Sequence, residues 1–301
     1  MTPIVDAHHH IWRQTDLPWL LGPTQPRIFG PYDAIKREYP IGEYLADIAG
    51  LGVQKSVYVQ ANWAPNWFAD EAAWVLETAE RTGWPHAIVG YCDMLQEDAR
   101  RDLDKLARYA LMRGVRQQLH WHKNPLYRFA KSPDLARNAT LQKNVARLAD
   151  YGWVFDLQVF AGQMDGACEL ADACPDVTFV LQHSGMLEDL SEEGRASWKA
   201  AMKELAKRKN VVSKLSAFGT FIHRNDVDHI AWMVAETVKL FGVRRCLFGS
   251  NFPIEKLWTS YADLLCAFQS ATADMSEAAR KAIFHDTASR VYRLHENKGG
   301  Q

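Results

Sequence analysis

Three consecutive histidines, His8, His9 and His10, follow Val5-Asp6-Ala7 near the start of the chain. The apolar run before them reads as a buried strand, in which side chains two apart face the same way. His8 and His10 therefore converge from one strand end. Paired imidazoles there can bind a divalent metal or hydrogen-bond a single substrate atom. Seven further apolar runs carry reactive or polar residues at or near their ends. They supply Gln60; Asp93; Arg116, Gln118 and His120; Asp156 and Gln158; His183; Lys214 and Ser216; and Asn251.

The elements that hold these residues alternate. Strands are expected at 4–8, 56–61, 87–93, 114–120, 153–159, 177–183, 211–217 and 246–251. Amphipathic helical patterns fall near 41–51, 70–82, 97–111, 134–151, 162–173, 191–209, 226–241, 258–271 and 276–292. Gly52, Gly83, Gly114, Gly152 and Gly242 each follow a helical pattern and precede a strand, as helix-ending glycines do. Strict alternation of strand and helix implies a parallel sheet. Eight such units in 301 residues fit a (β/α)8 TIM barrel forming one domain over 1–301. An open doubly wound sheet would need a Gly-x-Gly-x-x-Gly turn, which is missing. The long stretch 12–40, rich in proline and aromatics, would follow the first strand as a loop over the catalytic face.

Strands covered on both faces should be almost wholly apolar. Charged and polar groups at their ends are costly to bury unless they share a pocket. In a barrel that pocket lies at the C-terminal ends of the strands.

Asp6-Ala7-His8-His9-His10, Leu181-Gln182-His183-Ser184-Gly185 and Phe248-Gly249-Ser250-Asn251-Phe252-Pro253 resemble motifs of the amidohydrolase superfamily. The likeness is to the branch of sugar-lactone lactonases and 2-pyrone-4,6-dicarboxylate lactonase, and it runs nearly to the end of the chain. It implies a hydrolase opening a lactone, such as a sugar acid lactone or a carboxylated lactone, in carbohydrate or aromatic catabolism. It also implies catalytic roles for His8, His10, His183 and Asn251, with His8 and His10 polarising the ring carbonyl. Arg116, Gln158, Lys214, Gln60 and His120 would bind substrate; internal pairing of Arg116 and Lys214 with Asp93 or Asp156 is the alternative for those two charges.

Two positions depart from the superfamily's metal-binding pattern. Gln158 stands where a histidine is usual, and Asn251 stands where an aspartate is usual. No carboxylated lysine is evident on the fourth strand. Either no cofactor is needed, or one divalent metal (zinc or manganese) sits on His8, His10 and His183; the missing ligands favour the metal-free case. Asn251 cannot serve as a base at neutral pH, so His183 is the first choice for that role. Asp93, Asp156 and Glu255 are alternatives. A metal-dependent amidohydrolase or decarboxylase of the same superfamily, and a non-catalytic ligand-binding barrel, are the rival functions.

Composition narrows the partners. Net charge is −1 and 24% of residues are charged, so no bulk attraction to nucleic acid or an anionic membrane is expected. No apolar run is long enough to span a bilayer. A cytoplasmic enzyme acting on a small anionic or polyhydroxylated molecule is expected, and a homo-oligomer is compatible with the sequence. The five cysteines include no Cys-x-x-Cys pair and read as small buried hydrophobes. His86, His223, His229, His285 and His295 are assigned no role.

Overall fold

The computed structural model describes residues 2–294, so His295 lies outside the described residues. Eight parallel strands run in chain order: β1 (Ile4–His9), β2 (Val53–Val59), β3 (Ala87–Gly90), β4 (Met112–Gln118), β5 (Val154–Gln158), β6 (Phe179–Leu181), β7 (Val211–Leu215) and β8 (Cys246–Phe248). Each pairs with its successor, and helices cross between them, giving the (β/α)8 TIM barrel. All eight expected strands form. Most are shorter at their C-terminal ends than the apolar runs suggest, because the chain there turns away to carry the site.

The inward faces of the lower barrel are small and branched. Val57 and Val59, Ala87 and Val89, Val154, Val180 and Val212 form one buried cluster closed by Tyr292. Gly114 belongs to this interior and does not end a helix, as its position had suggested. It lies inside β4 opposite Val154, and a Cβ there would come within 2.5 Å of the Val154 side chain. Gly52, Gly83 and Gly152 adopt the left-handed φ expected after a helix, and Gly242 also has positive φ.

Several helical patterns break up. The 134–151 region holds helices Ala139–Ala146 and Leu148–Tyr151, and 97–111 contracts to Arg100–Leu106. The 276–292 region contains a π-helical turn at Ala282–Asp286. The 12–40 loop is pinned at its base by a bridge between Trp12 and Tyr39, and by Trp19 Nε1 donating to the Ala61 carbonyl at 3.0 Å.

The seam between β1 and β8 closes at the C-terminal end. The Asn251 amide donates to the His8 carbonyl at 2.7 Å, and the His10 amide donates to the Phe252 carbonyl at 2.8 Å. Beneath these bonds, the buried Asp6 carboxylate accepts from the Ser250 amide, the Ser250 hydroxyl, Tyr44 and Tyr261. With the His8 amide, five donors offset much of the cost of burying that carboxylate, whose pKa burial still raises.

Candidate active site

Register in β1 slips between Asp6 and His9, the mark of a bulge. Without it, strict alternation from Val5 and Ala7 would send His9 into the barrel. With it, His8 and His10 turn inward and His9 stacks outward on Tyr44, ring centroids 3.9 Å apart. Gly249 makes room for this arrangement. A Cβ on it would lie 2.7 Å from His8 Cβ and 3.1 Å from the His8 nitrogen. The seam bonds leave that backbone little freedom, so Gly249→Ala is expected to destabilise the fold by about 2 kcal/mol. An unchanged urea midpoint would refute this close-approach argument.

His10 Nδ1 lies 2.6 Å from the Val59 carbonyl, and a carbonyl only accepts, so the proton sits on Nδ1. His10 Nε2 is then a lone pair, and His8 Nε2, 3.3 Å away, is placed to donate to it. His8 Nδ1 is buried without a partner. Burial, aided by Lys214 for His8 and by Arg116 for His10, holds both pKa values well below the usual 6.5. The two rings are therefore neutral. With the His10 proton on Val59 and the His8 proton on His10, neither offers a free N–H to a carbonyl. The expected polarising role of the pair does not follow from this geometry.

His183 follows β6 in left-handed backbone, φ 54°. Its Nδ1 lies 2.8 Å from Ser216 Oγ, and among the described residues its Nε2 has no partner. Its ring centroid is 4.9 Å from that of His8. Burial, then the Arg116 charge, pushes its pKa well below 6.5. Asn62, His183, Met186, Ala217 and Asn251 all have positive φ and all line one cavity. Non-glycine residues rarely adopt this conformation, and such strain gathers at working sites.

That cavity, about 760 Å³, opens at the C-terminal ends of the strands. It collects His10, Gln60, Arg116, Gln118, His120, Gln158, His183 and Asn251. Arg116 is 4% exposed; its Nη2 donates to the Gln60 carbonyl, its Nε has no partner, and it makes no ion pair among the described residues. Burial lowers its pKa to about 10, which leaves it charged at neutral pH. Gln118 Oε1, Gln158 Oε1 and His120 Nδ1 are buried without partners. Gln60 is less free, since its Oε1 accepts from the Asn62 amide at 2.7 Å.

Lys214 is not part of the cavity wall, contrary to the substrate-binding role expected for it. It is fully buried one layer below, with Nζ 3.0 Å from Asp156, and Tyr292 donates to the other Asp156 oxygen at 3.1 Å. Asp156 is thereby occupied as an ion partner rather than poised as a base. Asp93 accepts from the Leu95 amide and from Gln117.

The three-histidine metal set does not assemble. The two Nε2 atoms of His8 and His10 are close enough to share an ion, but among the described residues no three His, Cys, Asp or Glu side chains converge to hold one. His183 turns Nδ1 to Ser216, so only its Nε2 could face an ion.

Sequence reasoning gave no role to three residues that shape the site. Ser216 orients His183. Gln117 lines the cavity and ties Asp93 to the Met94 amide. Glu71 accepts from Tyr58 and from the Ala61 amide beside the cavity, with burial raising its pKa to about 7. Its place inside an amphipathic helix gave no signal. Glu255, named only as an alternative base, is fully buried behind the cavity, with Trp258 Nε1 donating to Oε2 at 2.8 Å and Oε1 unpartnered.

Comparison with known proteins identifies the family. The sequence model of a family described as amidohydrolase matches residues 5–294. An uncharacterized Sinorhizobium fredii protein, y4mH, is 36% identical over 97% of this chain and 98% of its own. L-fucono-1,5-lactonase of Burkholderia multivorans is 29% identical over 97% of this chain and 96% of its own. A Burkholderia multivorans amidohydrolase crystallised with bound zinc superposes with a TM-score of 0.81, at 26% identity over 97% of this chain and all of that one.

Proposed function

Since the chain belongs to the amidohydrolase family and is a hydrolase, we propose that it opens a lactone, taking an anionic or polyhydroxylated ring into the barrel-top cavity. The observation that carries this reading is the buried, unpaired Arg116 beside His183, whose Nε2 is free. Arg116 donates to the oxygen that becomes negative as water adds to the ring carbonyl, or to a substrate carboxylate next to it. His183 Nε2 takes a proton from the attacking water while Nδ1–H is held by Ser216. Asn251 orients that water. The new C–O bond forms, the ring C–O bond breaks, and the imidazolium returns its proton to the leaving ring oxygen. Gln118, Gln158 and His120 supply unpaired groups for substrate hydroxyls. His10 lines the cavity as a neutral group and His8 lies outside the cavity wall, and neither acts as a carbonyl donor.

Because the histidines do not gather as a ligand set, no step is routed through a metal. The test is a hydrolysis screen over sugar, carboxylated and simple lactones, before and after dialysis against a chelator. Turnover that survives the chelator is expected. No turnover of any lactone overturns the function, and loss that added zinc or manganese restores overturns the metal-free route.

Arg116→Met is expected to lower kcat/KM for a carboxylated lactone about 10–100-fold, the range for hydrogen bonds to charged groups. Steady-state kinetics on the variant measure this, and an unchanged value refutes the role.

A further inference from the structure

The cavity is larger than one sugar lactone needs. A six-membered sugar lactone has about a dozen heavy atoms, while pockets of several hundred Å³ take drug-sized ligands. Most unpartnered polar atoms of the lining (Arg116 Nε, Gln118 Oε1, His120 Nδ1 and Gln158 Oε1) belong to the floor, on and just after β4 and β5, while Arg27 Nε and Trp63 Nε1 belong to the loops after β1 and β2. The upper walls are different. Trp19 and Phe29 of the 12–40 loop form one aromatic bank, ring centroids 6.3 Å apart. Tyr127 and Phe221, from the loops after β4 and β7, form another, 5.3 Å apart. Both banks line the one cavity, yet among the described residues no ring of either lies within stacking distance of a ring of the other. Large apolar faces that line one cavity without stacking on each other leave a slot in which an inserted ring can pack against either.

We propose that the substrate is a two-part molecule: a lactone that seats on the polar floor and carries an aromatic ring that fills the slot. This rests on the lactonase reading and narrows it to aryl-substituted lactones.

The experiment compares δ-valerolactone with 6-phenyl-δ-valerolactone in the full-length protein. The phenyl compound is expected to show kcat/KM at least tenfold higher. In Tyr127→Ala and Phe29→Ala the phenyl-to-parent ratio is expected to fall at least fivefold, and parent turnover reports that the variants are folded. Calorimetry with the two ring-opened hydroxy acids asks the same question without turnover. If neither lactone is opened but the phenyl acid binds at least tenfold tighter, the slot stands and the lactonase reading falls. Equal rates for the two lactones, or equal binding of the two acids, overturn the proposal. So does a ratio that the variants leave unchanged.

Discussion

His183→Ala is expected to lower kcat for lactone opening about 10²–10⁴-fold, the usual contribution of a positioned base, with little change in KM. The expectation comes from how the ring is held. Ser216 fixes Nδ1, so Nε2 is free toward the cavity. Since burial and Arg116 hold this imidazole's pKa well below 6.5, its base form persists through mildly acidic solution. A base is lost as pH falls through its own pKa, so the acid limb of the pH–rate profile should lie well below pH 6.5. Ser216→Ala should lower kcat less, because it frees the ring without removing it. Glu255→Gln separates His183 from its nearest rival. Burial raises the Glu255 pKa to about 8, so at neutral pH it is mostly a protonated acid, and glutamine replaces it with little loss if His183 is the base. A His183→Ala enzyme with normal turnover, or a Glu255→Gln enzyme without any, would reverse the assignment.

The second large effect is on stability. Lys214→Met should cost about 3–5 kcal/mol, because it leaves the Asp156 carboxylate charged, buried and without its cation. Tyr292 still donates to that carboxylate, but one neutral hydrogen bond does not replace an ammonium. The double variant Lys214→Met with Asp156→Leu removes both charges and should recover most of the loss. Denaturant unfolding of the single and double variants measures this. Equal losses in the two would show that packing, not the stranded charge, sets the cost.

The fold was legible because its signals repeat. Runs such as Val57–Val59 and Val211–Val212 mark strands buried on both faces, and the glycines at 83 and 152 cap the helix ends before them, whereas Gly52 closes a turn after a helix that stops at Asp47. Gly114 misled because a glycine that ends a helix and one that lets two strands pack closely look alike in sequence. The site was legible as a set of strand ends but not in depth. Alternation puts Lys214 and Ser216 on one face without saying that Lys214 sits two residues lower, level with Asp156. The same is true of Asp156 and Gln158. Nor does spacing reveal tautomers. The convergence of His8 and His10 could be inferred from their separation, whereas their inward direction depends on a bulge, and their lack of a free N–H depends on the Val59 carbonyl.

The closure of the ring has an evolutionary side. The backbone bonds that join the last strand to the first run through His8, His10, Asn251 and Phe252, the same short segments that present the chemistry. Drift at these positions is judged twice, once for turnover and once for whether the barrel shuts. The loops that carry Phe29, Tyr127 and Phe221 bear no such double duty. Descendants of this chain can therefore exchange what they accept far more readily than how they act on it.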